Sequence, residues 1–238
     1  MPGLGTIINT AAIVVGGLLG LLFKNLLTKS MEDTLLKASS VCVLFIGIGG
    51  AMQHMLKITD GALETSGSMM LIICFVLGSI VGELLDIEGA FERFGAWLRK
   101  KTHNESDTGF LSAFIHASLT VCIGAMAIVG SIQDGLLGDS SLLCAKAALD
   151  AVIILVMTAS MGKGCIFSAI PVALLQGGVT LLSRVLEPIF TEAAIANLSY
   201  TGSVMIFCVG LNLVWGKKIK VANLLPTLVF AVLYALVF

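Results

Sequence analysis

The chain has 238 residues, 57% of them hydrophobic and 12% charged, with a mean hydropathy of +1.02. Soluble domains carry about 25% charged residues, so a water-soluble fold of this size has too little polar surface to cover itself, and the solvent is lipid. The net charge of −1 removes any bulk electrostatic case for a nucleic-acid partner, and the length leaves little for a separate soluble domain.

Eight segments reach spanning length: 4–23, 39–56, 68–86, 109–132, 141–160, 165–183, 199–216 and 219–238. Each must be helical, because lipid offers the backbone no hydrogen-bonding partner. The expected fold is therefore an all-α, polytopic membrane protein forming one integral domain over 1–238. The first Lys is Lys24, so no basic leader precedes the first apolar run, and that run is expected to stay as a span.

Span 1 carries Asn9-Thr10, whose amide at membrane depth seeks a partner helix, and the small-residue ridge Gly16/Gly20. A linker with Leu26, Leu27, Met31, Leu35 and Leu36 at near-helical spacing suits an amphipathic helix in the interface. Span 2 ends at Gln53-His54. Span 3 carries a second ridge, Gly78/Gly82, with Glu83 near its end. The next linker, with Ile87, Phe91, Phe94, Trp97 and Leu98, repeats the amphipathic pattern. Span 4 holds His116, Ser118 and Thr120 and ends at Gln133-Asp134. Span 5 contains Lys146 and Asp150, four apart and so able to share a helix face. Met161-Gly-Lys163-Gly forms a tight hairpin into span 6, where Pro171 and Gly177-Gly178 are candidates for a break or a kink. Span 7 carries Asn212.

Val41–Gln53 and Val121–Gln133 align without a gap, with five of thirteen positions identical. With the glycine ridges, this marks repeat 1 (1–56) and repeat 2 (68–133). A crossing helix (141–160) follows, then a fainter, inverted repeat 3 (165–216) and a final helix (219–238). Inverted repeats give transporters two conformations open to opposite sides, although Gly and Leu also recur by chance in apolar helices. The ridges suit packing or a homodimer.

With the N-terminus outside, eleven Lys and Arg residues fall on the inner side and three (Lys57, Lys146, Arg184) on the outer side. The positive-inside bias then places both termini outside.

The candidate path residues are the ionisable and amide groups in the spans, because each is costly in lipid and needs a reason. Asp150 is either half of a local pair with Lys146 or a carboxylate lining a path. His116, Asn212 and Asn9 are further candidates. Gln53, His54, Gln133 and Asp134 end equivalent repeat spans and form an outer mouth if they converge; otherwise they are solvated span ends. The six cysteines sit singly in apolar runs and read as packing residues. No HExxH, GxSxG or phosphate-loop pattern occurs, so no enzyme activity, metal or cofactor is expected.

The run Gly3-Leu-Gly-Thr-Ile-Ile-Asn9-Thr-Ala-Ala-Ile-Val-Val-Gly16-Gly-Leu-Leu-Gly20, the linker ending Lys37-Ala-Ser-Ser40 and Phe45-Ile-Gly-Ile-Gly-Gly50 resemble the YqgA/YdfK-like family, number 554 of the domains of unknown function. The resemblance extends to Ser160-Met-Gly-Lys163-Gly and Gly210-Leu-Asn212. It implies a multi-pass protein of the bacterial inner membrane and supplies no substrate or catalytic residue. The residues themselves point to a secondary transporter or channel-like permease, with lipid and a small solute or ion as partners. A non-transporting scaffold or sensor-like partner protein is the alternative, and a membrane enzyme acting on lipid or quinone comes third.

Overall fold

The computed structural model describes residues 2–24, 28–59, 61–102, 107–122 and 125–237. The chain runs α1 (Leu4–Lys24), α2 (Lys29–Met55), a hairpin of β1 (Leu56–Thr59) and β2 (Ala62–Thr65), α3 (Ser68–Leu85), α4 (Ile87–Lys101), α5 (Phe110–Cys122) and α6 (Ala125–Leu137). It continues with α7 (Ser141–Met161), a 3-10 stretch (Lys163–Ser168), α8 (Ala169–Leu181), α9 (Ser183–Leu186), α10 (Glu192–Trp215), a second 3-10 stretch (Val221–Leu224) and α11 (Pro226–Val237). It is an all-α membrane fold.

By length and hydropathy, five helical segments among the described residues qualify as spans: α1, α3, α7, Lys163–Leu181 and α10. The α5–α6 pair makes a sixth if it is one bent crossing, and Ser40–Met55 and Val221–Val237 are shorter apolar helices. The eight expected segments are thus helical where described, apart from a few end residues such as Leu56 in β1 and 219–220, but among the described residues only five or six have the full dimensions of a span. Ile72, Val76, Ile80 and Leu84 of α3 and Ile7, Val15, Leu18 and Leu22 of α1 are exposed. In water, such continuous apolar faces would drive aggregation; in lipid they are ordinary outer surface.

Close helix pairs hold the fold together. α1 and α7 run parallel: Gly5 faces Leu143, Gly16 the Ala151 carbonyl, and Gly20 the Leu155 carbonyl. α2 and α10 run antiparallel, with Gly47 on Phe207, Gly50 on Ser203 and Leu44 on Gly210. α3 and α11 are also antiparallel, with Gly78 on Thr227 and Gly82 on the Asn223 carbonyl. A missing Cβ lets backbones approach where the hydrophobic effect offers no drive. The ridges expected for packing or a dimer are therefore occupied inside the chain. Phe110, Phe114, Ile154, Met157, Val172, Met205 and Val209 fill the centre.

Four features depart from the expectation. First, the initial linker is not a separate interfacial helix: from Lys29 it continues into α2 without a break, started by Thr28, whose Oγ1 accepts from the Met31 amide at 3.3 Å. Leu26 and Leu27 lie outside the described residues, as do the side chains of Leu35 and Leu36. The second linker does form its own helix, α4, because Asp86 takes φ 48° and accepts from Gly89 N, turning the chain between α3 and α4. Second, span 4 is not straight: its described parts, Phe110–Cys122 and Met126–Leu137, are bent by 61° to one another. Third, α8 runs through both Pro171 and Gly177-Gly178; Pro171 sits in its first turn, where its missing N–H costs nothing. Fourth, residues after Met55 form a hairpin, pairing Leu56 with Thr65 and Thr59 with Ala62. Asp60-Gly61 is a hairpin signal in the sequence, and Gly61 takes φ 80°.

Candidate functional site

The site is built where α1, α5 and α7 meet. Lys146 and Asp150 lie one turn apart on the buried face of α7 and are 7% and 3% exposed. The Lys146 ammonium donates to Asp150 Oδ2 at 2.6 Å and Oδ1 at 2.8 Å. It also donates to the Val121 carbonyl at 2.9 Å. Its three N–H groups thus have three acceptors. Asn9 of α1, fully buried, donates from Nδ2 to Asp150 Oδ2 at 3.0 Å, while its Oδ1 has no protein partner.

Val121 is the penultimate residue of α5. The described halves of this segment, Phe110–Cys122 and Met126–Leu137, are bent by 61° to one another, and the ion pair sits at the bend. There the lysine donates to the Val121 carbonyl, the aspartate compensates the lysine, and Asn9 supports the aspartate. Asp150 is paired, as one of the two sequence readings required. Lys146 is buried, and so does not belong in the count of outer-side charges.

Two cavities flank this centre, near opposite ends of the described α5–α6 segment. One, about 210 Å³, lies beside the start of α5 and is lined by Glu88, Glu92, Ser112, His116, Asn212 and Lys217 among others. His116 is 8% exposed, with Nδ1 2.8 Å from the Ser112 carbonyl; as donor there, it leaves Nε2 as the acceptor. Glu88 is buried, accepts from Ala222 N at 3.0 Å and pairs with Lys217 at 2.9 Å. Burial opposes the Lys217 charge, but the carboxylates of Glu92 and Glu88 outweigh it and push its pKa up. The second cavity, about 390 Å³, opens beside the start of α1 and the ends of α6 and α8.

The remaining candidates divide. Asn212 lines the first cavity, but its amide is already engaged: Oδ1 accepts from Lys218 N at 2.9 Å and Ile219 N at 3.0 Å, and Nδ2 donates to the Ile219 carbonyl at 2.7 Å. It shapes the turn that presents Lys217 and so has a structural role beside its place on the cavity wall. Asn212→Leu should cost about 1–2 kcal/mol, read as faster hydrogen exchange at the 218 and 219 amides. Asp134 is no solvated span end: it is fully buried, and its Oδ2 accepts from Gly3 N at 3.1 Å and Gly5 N at 3.0 Å at the start of α1. Gln53 is exposed, and His54 and Gln133 are half-buried. The hydrogen bonds of Asp134 go to Gly3 and Gly5, and among the described residues no hydrogen bond joins these four side chains into a mouth.

The aligned copies also differ in shape. Val41–Gln53 is uninterrupted helix in α2, whereas Val121–Gln133, in which Ile123-Gly124 lies outside the described residues, spans the 61° bend between α5 and α6.

Sequence reasoning missed the Glu88–Lys217 pair and a set of buried polar residues, Thr6, Ser131, Gln176 and Thr180, whose side chains have unpartnered atoms. Gln176 carried a signal: an amide within the apolar stretch of span 6.

Comparison with known proteins agrees with a membrane protein of several apolar helices. The model for the "Protein of unknown function (DUF554)" family matches residues 4–236. The chain belongs to the DUF554 family. It is 26% identical over 224 residues to "Uncharacterized membrane protein YdfK" of Bacillus subtilis (strain 168), covering 94% of this chain and 92% of that protein. It is 25% identical over 235 residues to "Uncharacterized protein YqgA" of Escherichia coli (strain K12), covering 96% and 94%. No solved structure matches this DUF554 chain.

Proposed function

We propose that this DUF554 protein is a small secondary transporter or channel-like permease of the bacterial inner membrane. In this reading it moves a small solute or ion across lipid without enzymatic chemistry. One observation supports it: the buried Lys146–Asp150–Asn9 cluster sits at a 61° bend between α5 and α6, with a cavity near each end of that segment. Broken helices at membrane depth are found where backbone lines a pathway, and buried ionisable groups there mark ion or proton routes. The occluding centre is a charge pair, and displacing one partner by a proton or cation changes its pairing, which couples occupancy to opening.

Both termini are placed outside. Removing buried Lys146 from the count leaves eleven basic residues on the inner side against two on the outer. Repeat 3, inverted with respect to repeats 1 and 2, supplies the moving unit.

Proteoliposomes holding a pH-sensitive dye, challenged with Na⁺ gradients and small solutes, test the reading. Flux above empty liposomes is expected, and Asp150→Asn should abolish it. Flux unchanged in the folded variant removes Asp150 from coupling. The competing reading, a scaffold or sensor-like partner protein, is favoured by the complete partnering of Lys146, as expected for a structural staple. It prevails if the wild type moves no protons or solute.

A further inference from the structure

The cavity beside the start of α1 has walls that do not suit an empty pocket. Thr6 of α1 and Thr180 of α8 both line it, both are 8% exposed, and neither hydroxyl has a partner. Around it, α1, α6 and α8 pack against one another. Ser131 and Asp134 on α6 are both 0% exposed, with Ser131 Oγ and Asp134 Oδ1 unpartnered. Gln176, one turn before Thr180, is 1% exposed and has neither amide atom partnered. Asp134 is tied to the cavity wall through Gly3, whose N–H it accepts. Gly135 lets α6 meet α8 closely: a Cβ there would lie 2.5 Å from the Thr180 carbonyl. Gly177 faces open space within the same cavity.

Five buried side chains with unsatisfied polar atoms on three adjoining helices need an occupant, because each orphan costs about 1–3 kcal/mol. The chemistry selects it. The free acceptors are one carboxylate oxygen, three hydroxyls and an amide oxygen, all hard. Among the described residues no three His, Cys, Asp or Glu side chains converge, so a transition metal lacks its ligands, and one carboxylate is few for Ca²⁺. One negative charge among neutral oxygens matches a hard monovalent cation.

We propose that this cavity leads to a sodium-binding site, with Asp134 supplying the charge and Thr6, Ser131, Thr180 and Gln176 the neutral oxygens. The α1 amides that bond Asp134 Oδ2 fix that carboxylate and leave Oδ1 for the ion. Exposed Arg184 at the rim is a screened positive charge that weakens cation entry. The site does not depend on transport; a non-transporting protein would bind the ion equally.

The test is thermal unfolding of the purified full chain in detergent, with NaCl replacing choline chloride at constant ionic strength, and ²²Na⁺ equilibrium binding on the same samples. Na⁺ should raise the melting temperature by a few degrees at about tenfold excess over its dissociation constant. Thr6→Val and Thr180→Val, near-isosteric changes, should each weaken ²²Na⁺ binding at least tenfold and remove the Na⁺-dependent shift. Arg184→Gln should tighten binding. Asp134→Asn should abolish it, and because that variant also alters the start of α1, the valine variants decide. A cavity holding only water predicts the opposite: no saturable ²²Na⁺ binding, and a Thr180→Val protein as stable as wild type, or more so, in both salts. Either result overturns the site.

Discussion

Lys146→Met is expected to lower stability by about 3–5 kcal/mol, because it leaves the Asp150 carboxylate buried with only the Asn9 amide as partner. Asp150→Leu should cost a similar amount by stranding the ammonium. The double variant Lys146→Met/Asp150→Leu should recover most of either loss, since apolar side chains of similar volume often replace a buried ion pair at little cost. Recovery should stop about 1–2 kcal/mol short, because the Val121 carbonyl loses its donor in every variant lacking Lys146. The resulting coupling, read from a double-mutant cycle of denaturant unfolding in detergent, should exceed about 2 kcal/mol. A single-variant loss under about 1 kcal/mol would show that the pair is hydrated and seals nothing. The double variant also serves the transport question: it is folded, dry at its centre and without an exchangeable charge, so flux through it would refute coupling at this pair.

The parts of this centre were unequally legible in the sequence. Asp150 with Lys146 four residues before it was visible, because an ionisable pair inside an apolar run is costly and helical geometry puts the two on one face. Asn9 could be read as seeking a partner helix, and it has one in α7. The 61° bend between α5 and α6 could not be read. Val41-Cys42 opens the same pattern in α2, where the helix continues, so the local residues do not decide. What differs is a tertiary partner: the Val121 carbonyl is met by an ammonium 25 positions away in sequence, and no periodicity reports that. The structural role of Asn212 was hidden for the complementary reason. An amide in an apolar span suggests a path, but its acceptor and both donors are backbone groups of the next turn. Asp134 sits at a span end and so looks solvated, until the start of α1 folds across it.

The glycine ridges give the sharpest contrast between neighbouring substitutions. A Cβ on Gly82 would lie 1.8 Å from the Asn223 carbonyl oxygen, and one on Gly16 would lie 2.4 Å from the Ala151 carbonyl oxygen. Both obstacles are backbone, so no rotamer change relieves them and the helices must separate. The consequence at Gly82 spreads further, because Asn223 accepts from Glu88 N at 2.7 Å and donates to Glu83 Oε2 at 2.6 Å. Moving α11 from α3 therefore loosens the segment that seats buried Glu88. Gly82→Ala is expected to cost about 3 kcal/mol, at the upper end of overpacking losses. Gly16→Ala should cost somewhat less and act on the α1–α7 pair, weakening the Asn9–Asp150 bond. Gly49, in α2, has no atom within 4 Å of an added Cβ; Gly49→Ala should be neutral or stabilise by up to about 1 kcal/mol, through helix propensity alone. Thermal unfolding of the three variants in one detergent separates the cases. Because these ridges face α7 and α11 within one chain, Gly82→Ala should lower the melting temperature independently of protein concentration. A loss that disappears on concentrating the protein would instead place the ridge at an interface between two copies.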